Sequence, residues 1–139
     1  MDHAATMRRV YDRLNAGDID GFADLMADDV VEHEELAGLE PTKAGITEFF
    51  RAYLAAFPDL RMDAQDVLEC GDKVVARVQA TGTNHGAFMG MEATGKRIDV
   101  QLIDIMRFGD DGLMHEHWGV MDSLTMMQQL GMIPDGSPS

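Results

Sequence analysis

The chain has 139 residues, 45 % of them hydrophobic and 26 % charged, with a formal net charge of −14, which makes it one domain with a core of its own. The acidic balance repels phosphate backbones and anionic membranes, so nucleic acid and lipid surfaces are excluded as partners, and no apolar run reaches the roughly 20 residues that a membrane span requires. A single cysteine, Cys70, rules out an intrachain disulfide and the Cys-rich zinc patterns.

Met7, Val10, Tyr11 and Leu14 recur at helical spacing and predict an opening helix, with a glycine stop and a new cap at Asn15-Ala16-Gly17-Asp18. The pattern starts without the charged-then-apolar layout of a signal peptide, which points to the cytoplasm. Phe22, Leu25 and Met26 predict a second short helix, broken at Asp28-Asp29 before the strand-like run Val30 to His33. Val31 and His33 share one face of that run, and His33 is a candidate for the mouth of a pocket. An acidic loop, 34–41, leads into a helix carrying Ile46, Phe49, Phe50, Tyr53, Leu54 and Phe57, which Pro58 ends.

From Leu60 the period changes to two. Strands are predicted over 60–69 and 74–83 around a turn at Gly71-Asp72, followed by a loop over 84–95 whose Phe88, Met89 and Met91 suit an apolar lip over a pocket. Two further runs flank Gly109-Asp110-Asp111-Gly112. The first places Ile98, Val100, Leu102, Asp104, Met106 and Phe108 on one face, so a carboxylate sits in an apolar row. If Phe108 and Leu113 close the turn, strict antiparallel counting sets Asp104 opposite His117, with Cβ atoms roughly 4.5–5.5 Å apart and a carboxylate–imidazole hydrogen bond in reach. A one-residue bulge in the turn would flip that face. Leu124, Met127, Leu130 and Gly131 predict a short closing helix, and residues 132–139 a flexible tail after a single domain spanning 1–131.

Helices followed by a meander of strands give an α+β fold, with the helices on one face of a curved sheet. Ile103 and Ile105 make the opposite face of the Asp104 strand apolar as well, so a homodimer, sheet against sheet with Trp118 buried, is expected to cover it. Asp104 and His117 are the candidate catalytic pair, a carboxylate and an imidazole able to exchange a proton near neutral pH. His115 and His117 form a His-x-His dyad that zinc or iron could use with His33 or Asp104 as a third ligand; no second motif of fixed spacing accompanies it, and no metal is expected. His33, Phe50, Tyr53, Met89, Met91, Leu102, Met106, His115, Gly119 and Met121 are the candidate binding residues for a flat, hydrophobic ligand. Arg77 and Arg107 are expected to answer Glu116 and Asp122 as ion-pair partners.

Asn15-Ala16-Gly17-Asp18, Ala56-Phe57-Pro58-Asp59-Leu60, Gly71-Asp72-Lys73-Val74, Thr81-Gly82-Thr83, Ala93-Thr94-Gly95, Ile103-Asp104-Ile105-Met106-Arg107, Glu116-His117-Trp118 and Gln129-Leu130-Gly131 together resemble the SnoaL-like polyketide cyclases, also called ester cyclases, of the nuclear transport factor two superfamily. The resemblance covers nearly the whole chain. It implies a cone-shaped α+β barrel, usually dimeric, with a deep apolar pocket, and intramolecular aldol ring closure of an aromatic polyketide ester without cofactor or metal. One departure matters. The anthracycline cyclases of this group carry their catalytic aspartate two residues beyond His117, where this chain has Gly119, and their pocket histidine at the position of Asp104. Three functions therefore remain open: a cofactor-free lyase or isomerase in which Asp104 and His117 exchange the usual roles, a binding protein for a hydrophobic metabolite, or an accessory to polyketide oxygenation.

Overall fold

The computed structural model describes residues 2–36, 38–88 and 90–134. Four helices and five strands alternate as α1 (His3–Asn15), α2 (Ile19–Ala23), β1 (Met26–Glu32), α3 (Lys43–Ala56), β2 (Arg61–Cys70), β3 (Lys73–Thr83), β4 (Arg97–Phe108), β5 (Met114–Met121) and α4 (Ser123–Gln129). Short polar side chains start each helix where the sequence offers them. Asp2, Asp18, Thr42 and Asp122 accept hydrogen bonds from the amides three residues on, satisfying donors that a first turn otherwise leaves open. Gly17, at φ 69°, supplies the left-handed link between α1 and α2.

The strands form one sheet in the order β1-β5-β4-β3-β2. β2 to β5 run as the expected antiparallel meander, and β1 joins the far edge parallel to β5. Because β1 and β2 remain edges, the sheet is curved and open, not a closed barrel. The first strand-like run begins earlier than the sequence suggests: Met26, expected in the second helix, is already in β1, and α2 ends at Ala23. Along β4 every second residue from Ile98 to Phe108 is buried, and β3 matches it from Val74 to Gly82. That alternation makes the inner face.

Three expectations need correcting. The closing helix turns Met126 and Leu130 into the core, while Leu124 is exposed; the helix starts at Ser123 behind its Asp122 cap, which sets its rotation. Met132 packs against the core, so the expected tail does not begin there; residues 135–139 fall outside the described residues. Asp122 is held by the Thr125 hydroxyl at 2.7 Å and Arg77 by Asp66 at 2.7 Å, so only Arg107 and Glu116, 2.6 Å apart, form the expected ion pair across β4 and β5.

Candidate active site

Register decides what Asp104 meets. Phe108 pairs with Met114 instead of Leu113, and the next pair is Arg107 with Glu116, which leaves His115 as an extra residue in a β-bulge. Turn and bulge each add one residue, so Asp104 stands opposite Gly119, and His117 opposite Met106. The directly opposed Asp104–His117 pair is thus corrected to a diagonal one. An even offset preserves the face, and His117 Nε2 still reaches Asp104 Oδ1 at 2.8 Å. The neighbours of Asp104 on the adjacent strands are Ala76 and Gly119, two small residues that leave room for larger groups to converge on it.

Two more groups do so. The Tyr11 hydroxyl, from α1, donates to Asp104 Oδ2 at 2.7 Å. Glu32, on β1, pairs in register with His117 and holds its Nδ1 at 2.6 Å. Tyr11, Asp104, His117 and Glu32 thus form one buried chain of hydrogen bonds. Burial alone would lower the basicity of His117, but hydrogen bonds to Asp104 and Glu32, and the charges of both, outweigh it and push its pKa up to about 10. The imidazole is therefore a cation at neutral pH. Burial, followed by the charge and hydrogen bond of Asp104, pushes the Tyr11 phenol far above its ordinary value, so it stays a donor.

This chain of groups forms the polar end of an apolar cavity of about 760 Å³, counted out to its open mouth. Phe22, Phe49, Phe50 and Tyr53 wall it on the helical side; Leu102, Met106 and Met121 wall it on the sheet. Glu34 also lines it, and no Lys or Arg is among the lining residues. Gly119 is closely approached by the side chains around it. A Cβ there would stand 2.7 Å from Glu34 Oε2, 2.9 Å from His117 Cε1 and 3.0 Å from Asp104 Oδ1.

Of the expected binding residues, Phe50, Tyr53, Leu102, Met106 and Met121 line the cavity. Gly119 borders its polar end through the close approaches just described. His33 does not line it: it shares the outer face with Val31, bonds Glu116 at 2.8 Å and stacks on Trp118 at 4.7 Å. His115 does not line it either, because the bulge aims it at Asp111, 2.9 Å away. Met91 is exposed and outside the cavity wall, and Met89 lies outside the described residues. Phe88 instead packs edge-on against Tyr53 and Phe57, while the wholly buried Asn84 ties the start of its loop to Thr94.

The bulge also breaks up the His-x-His dyad. Glu32, Glu34 and His117 do bring possible ligand atoms within 4.8 Å of one another. Both His117 nitrogens are bonded to carboxylates, and Glu32 also accepts the Glu34 amide at 2.9 Å, so the three groups belong to one hydrogen-bonded network. Glu32, Glu34 and the Tyr11 hydroxyl were not singled out from the sequence. Glu32 had a signal, since Val31 and His33 on one face place Val30 and Glu32 on the other.

A family model for SnoaL-like polyketide cyclases matches residues 5–130. The chain belongs to the SnoaL-like polyketide cyclase family. Solved structures agree: AclR from Streptomyces galilaeus, a proposed hydroxylase, is 30 % identical with a TM-score of 0.88 over 99 % of this chain and 85 % of its own. IdmH from Streptomyces antibioticus, a proposed polyketide cyclase, is 32 % identical with a TM-score of 0.83 over 94 % and 99 %. TsrD from Streptomyces laurentii is 28 % identical with a TM-score of 0.82 over 93 % and 97 %. No curated protein matches the sequence. The SnoaL-like chain described here shares the nuclear transport factor two-like fold of these neighbours, and no helix among its described residues is long and apolar enough to cross a membrane.

Proposed function

We propose that the protein is a cofactor-independent cyclase-type lyase or isomerase, carrying out acid–base chemistry on a hydrophobic carbonyl compound such as a polyketide ester. The observation that carries this reading is the Tyr11–Asp104–His117–Glu32 chain set into the wall of an otherwise apolar cavity. Asp104 removes a proton α to the carbonyl. The His117 cation, held by Glu32, supplies positive charge beside the developing enolate. Apolar enclosure and positioning contribute the remainder of the acceleration. Proton transfer and C–C bond formation of this kind need no redox group.

With ring-forming polyketide esters as substrates, Asp104→Asn and His117→Ala are each expected to lower turnover about 10² to 10⁴-fold. Unchanged turnover in both would overturn the mechanism. A second reading, a binding protein for the same class of ligand, draws support from the completeness of the network: both His117 nitrogens and both Asp104 oxygens are already bonded within the protein. Tight binding of the ester with no product after long incubation would favour it.

The outer sheet face exposes Val31, Leu68, Ile103 and Val120, and a second copy laid sheet against sheet would cover them. Ile103→Lys is expected to shift the sedimentation coefficient of the protein from dimer to monomer. A monomeric parent protein would overturn the dimer.

A further inference from the structure

Glu34 is the carboxylate of the cavity that the hydrogen-bonded chain does not use. It lies just past the end of β1, where its amide donates to Glu32 Oε1 at 2.9 Å and fixes its backbone. Its carboxylate lines the cavity, half-buried, and accepts no hydrogen bond among the described residues. Gly119 makes its position possible. Glu34 Oε2 occupies the space that a side chain at 119 would need, beside His117 Cε1 and Asp104 Oδ1.

We propose that Glu34 is a second catalytic residue, the general acid that hands a proton to the acceptor carbonyl oxygen while Asp104 takes one from the α-carbon. This rests on the acid–base reading above. The step balances: the α-C–H bond breaks and its proton goes to Asp104. The enolate carbon bonds to the acceptor carbonyl carbon, the C=O π pair moves to oxygen, and that oxygen takes the Glu34 proton. Transfer of the Asp104 proton to Glu34 through solvent then resets the pair, so the reaction is an isomerisation with no co-reactant.

The surroundings of the two carboxyl groups divide the roles. Asp104 accepts from Tyr11 and His117, contacts that suit a carboxylate. Among the described residues Glu34 has no donor, and burial raises its carboxyl above the usual range; the charge of His117 opposes this, while those of Asp104 and Glu32 add to it. Tyr53 on α3 is a further titratable neighbour, its phenol raised by burial and then by the Glu34 carboxylate. Two carboxyl groups with opposite environments at one site are the usual arrangement for an acid and a base.

The test uses 1-phenylheptane-2,6-dione, a hydrophobic 1,5-diketone, in D2O, reading ring closure by chromatography and benzylic deuterium uptake by mass spectrometry on the same samples. In Glu34→Gln, ring closure is expected to fall about 10²-fold or more while deuterium uptake stays within about threefold. Asp104→Asn is expected to lose both, and Glu34→Asp to recover part of the closure. The alkaline fall in closure rate, expected where Glu34 deprotonates, should vanish in Glu34→Gln. Thermal melting of each variant checks folding: Glu34→Gln breaks no side-chain hydrogen bond among the described residues, whereas Asp104→Asn alters the contacts with Tyr11 and His117.

Closure at the parent rate in Glu34→Gln, with both activities lost in Asp104→Asn, would overturn the role of Glu34 and leave the acid–base reading standing. Loss of both activities in Glu34→Gln would make it the base and overturn the assignment. No closure or exchange by the parent protein, or full activity in Asp104→Asn, would overturn the acid–base reading and the role of Glu34 with it.

Discussion

The same pair of residue types occurs twice along the β1–β5 seam, once on each face of the sheet. Inside, Glu32 of β1 holds His117 of β5; outside, His33 beyond the end of β1 holds Glu116 of β5. Both contacts are short, 2.6 Å and 2.8 Å. The inner side chains are 12 % and 3 % exposed and the outer ones 38 % and 26 %, and that difference governs what each pair can do. Inside, water cannot substitute for a missing partner, so the imidazole is held as a cation and any change in its charge is felt by Asp104 and Glu32. Outside, Arg107 and then His33 hold Glu116 below the usual carboxylate range through hydrogen bonds, and solvent screens the rest.

Removing the histidine from each pair is the sharpest way to separate them. His117→Ala leaves Glu32 and Asp104 buried without their shared cation and is expected to cost about 3–5 kcal/mol in denaturant unfolding. A cost below that of an exposed pair would erase the distinction between the faces. Titration gives the same contrast its sign. His117 has a folded pKa of about 10 against an ordinary 6.5, so its contribution to stability is fully present below pH 6.5 and is lost as pH rises through about 10. The difference in melting temperature between the parent protein and His117→Ala should therefore narrow over that window. A gap that stays constant would mean that His117 is neutral in the fold.

Tyr11→Phe keeps the ring in the core and removes one donor to Asp104, for an expected loss of about 1.5–3 kcal/mol. A neutral result would mean that water replaces the hydroxyl and the site is wetter than its lining suggests. His33→Ala, on the outer face, is expected to change stability by about 0–1 kcal/mol. A larger loss would indicate that the His33–Trp118 stack is buried in the working protein, as a sheet-to-sheet dimer would make it.

The face assignments were legible in the sequence because side-chain alternation is a local property of extended backbone. Asp104 among five hydrophobes, and His117 on the inward parity of its run, follow from counting alone. The diagonal contact survived a pairing error for the same reason: turn and bulge together shift β5 by two residues, and an even shift returns each side chain to its face. His115 could not be placed this way, since the bulge that removes it from the inner row is set by how the turn closes. The core stripe of α1 was also legible, but the task of the Tyr11 hydroxyl was not, because helical spacing reports which way a residue points and not what waits across the core.

Length, composition, alternation, helix caps and the glycine stop at Gly17 were set by sequence, since each depends on residues within a few positions of one another. The tertiary structure alone decided that β1 lies parallel beside β5, which brings Glu32 to a histidine 85 residues away, and that the loop after β1 folds Glu34 into the space left by Gly119. Those contacts depend on closing long loops and burying charge at the same time, and no local pattern along the chain encodes that balance.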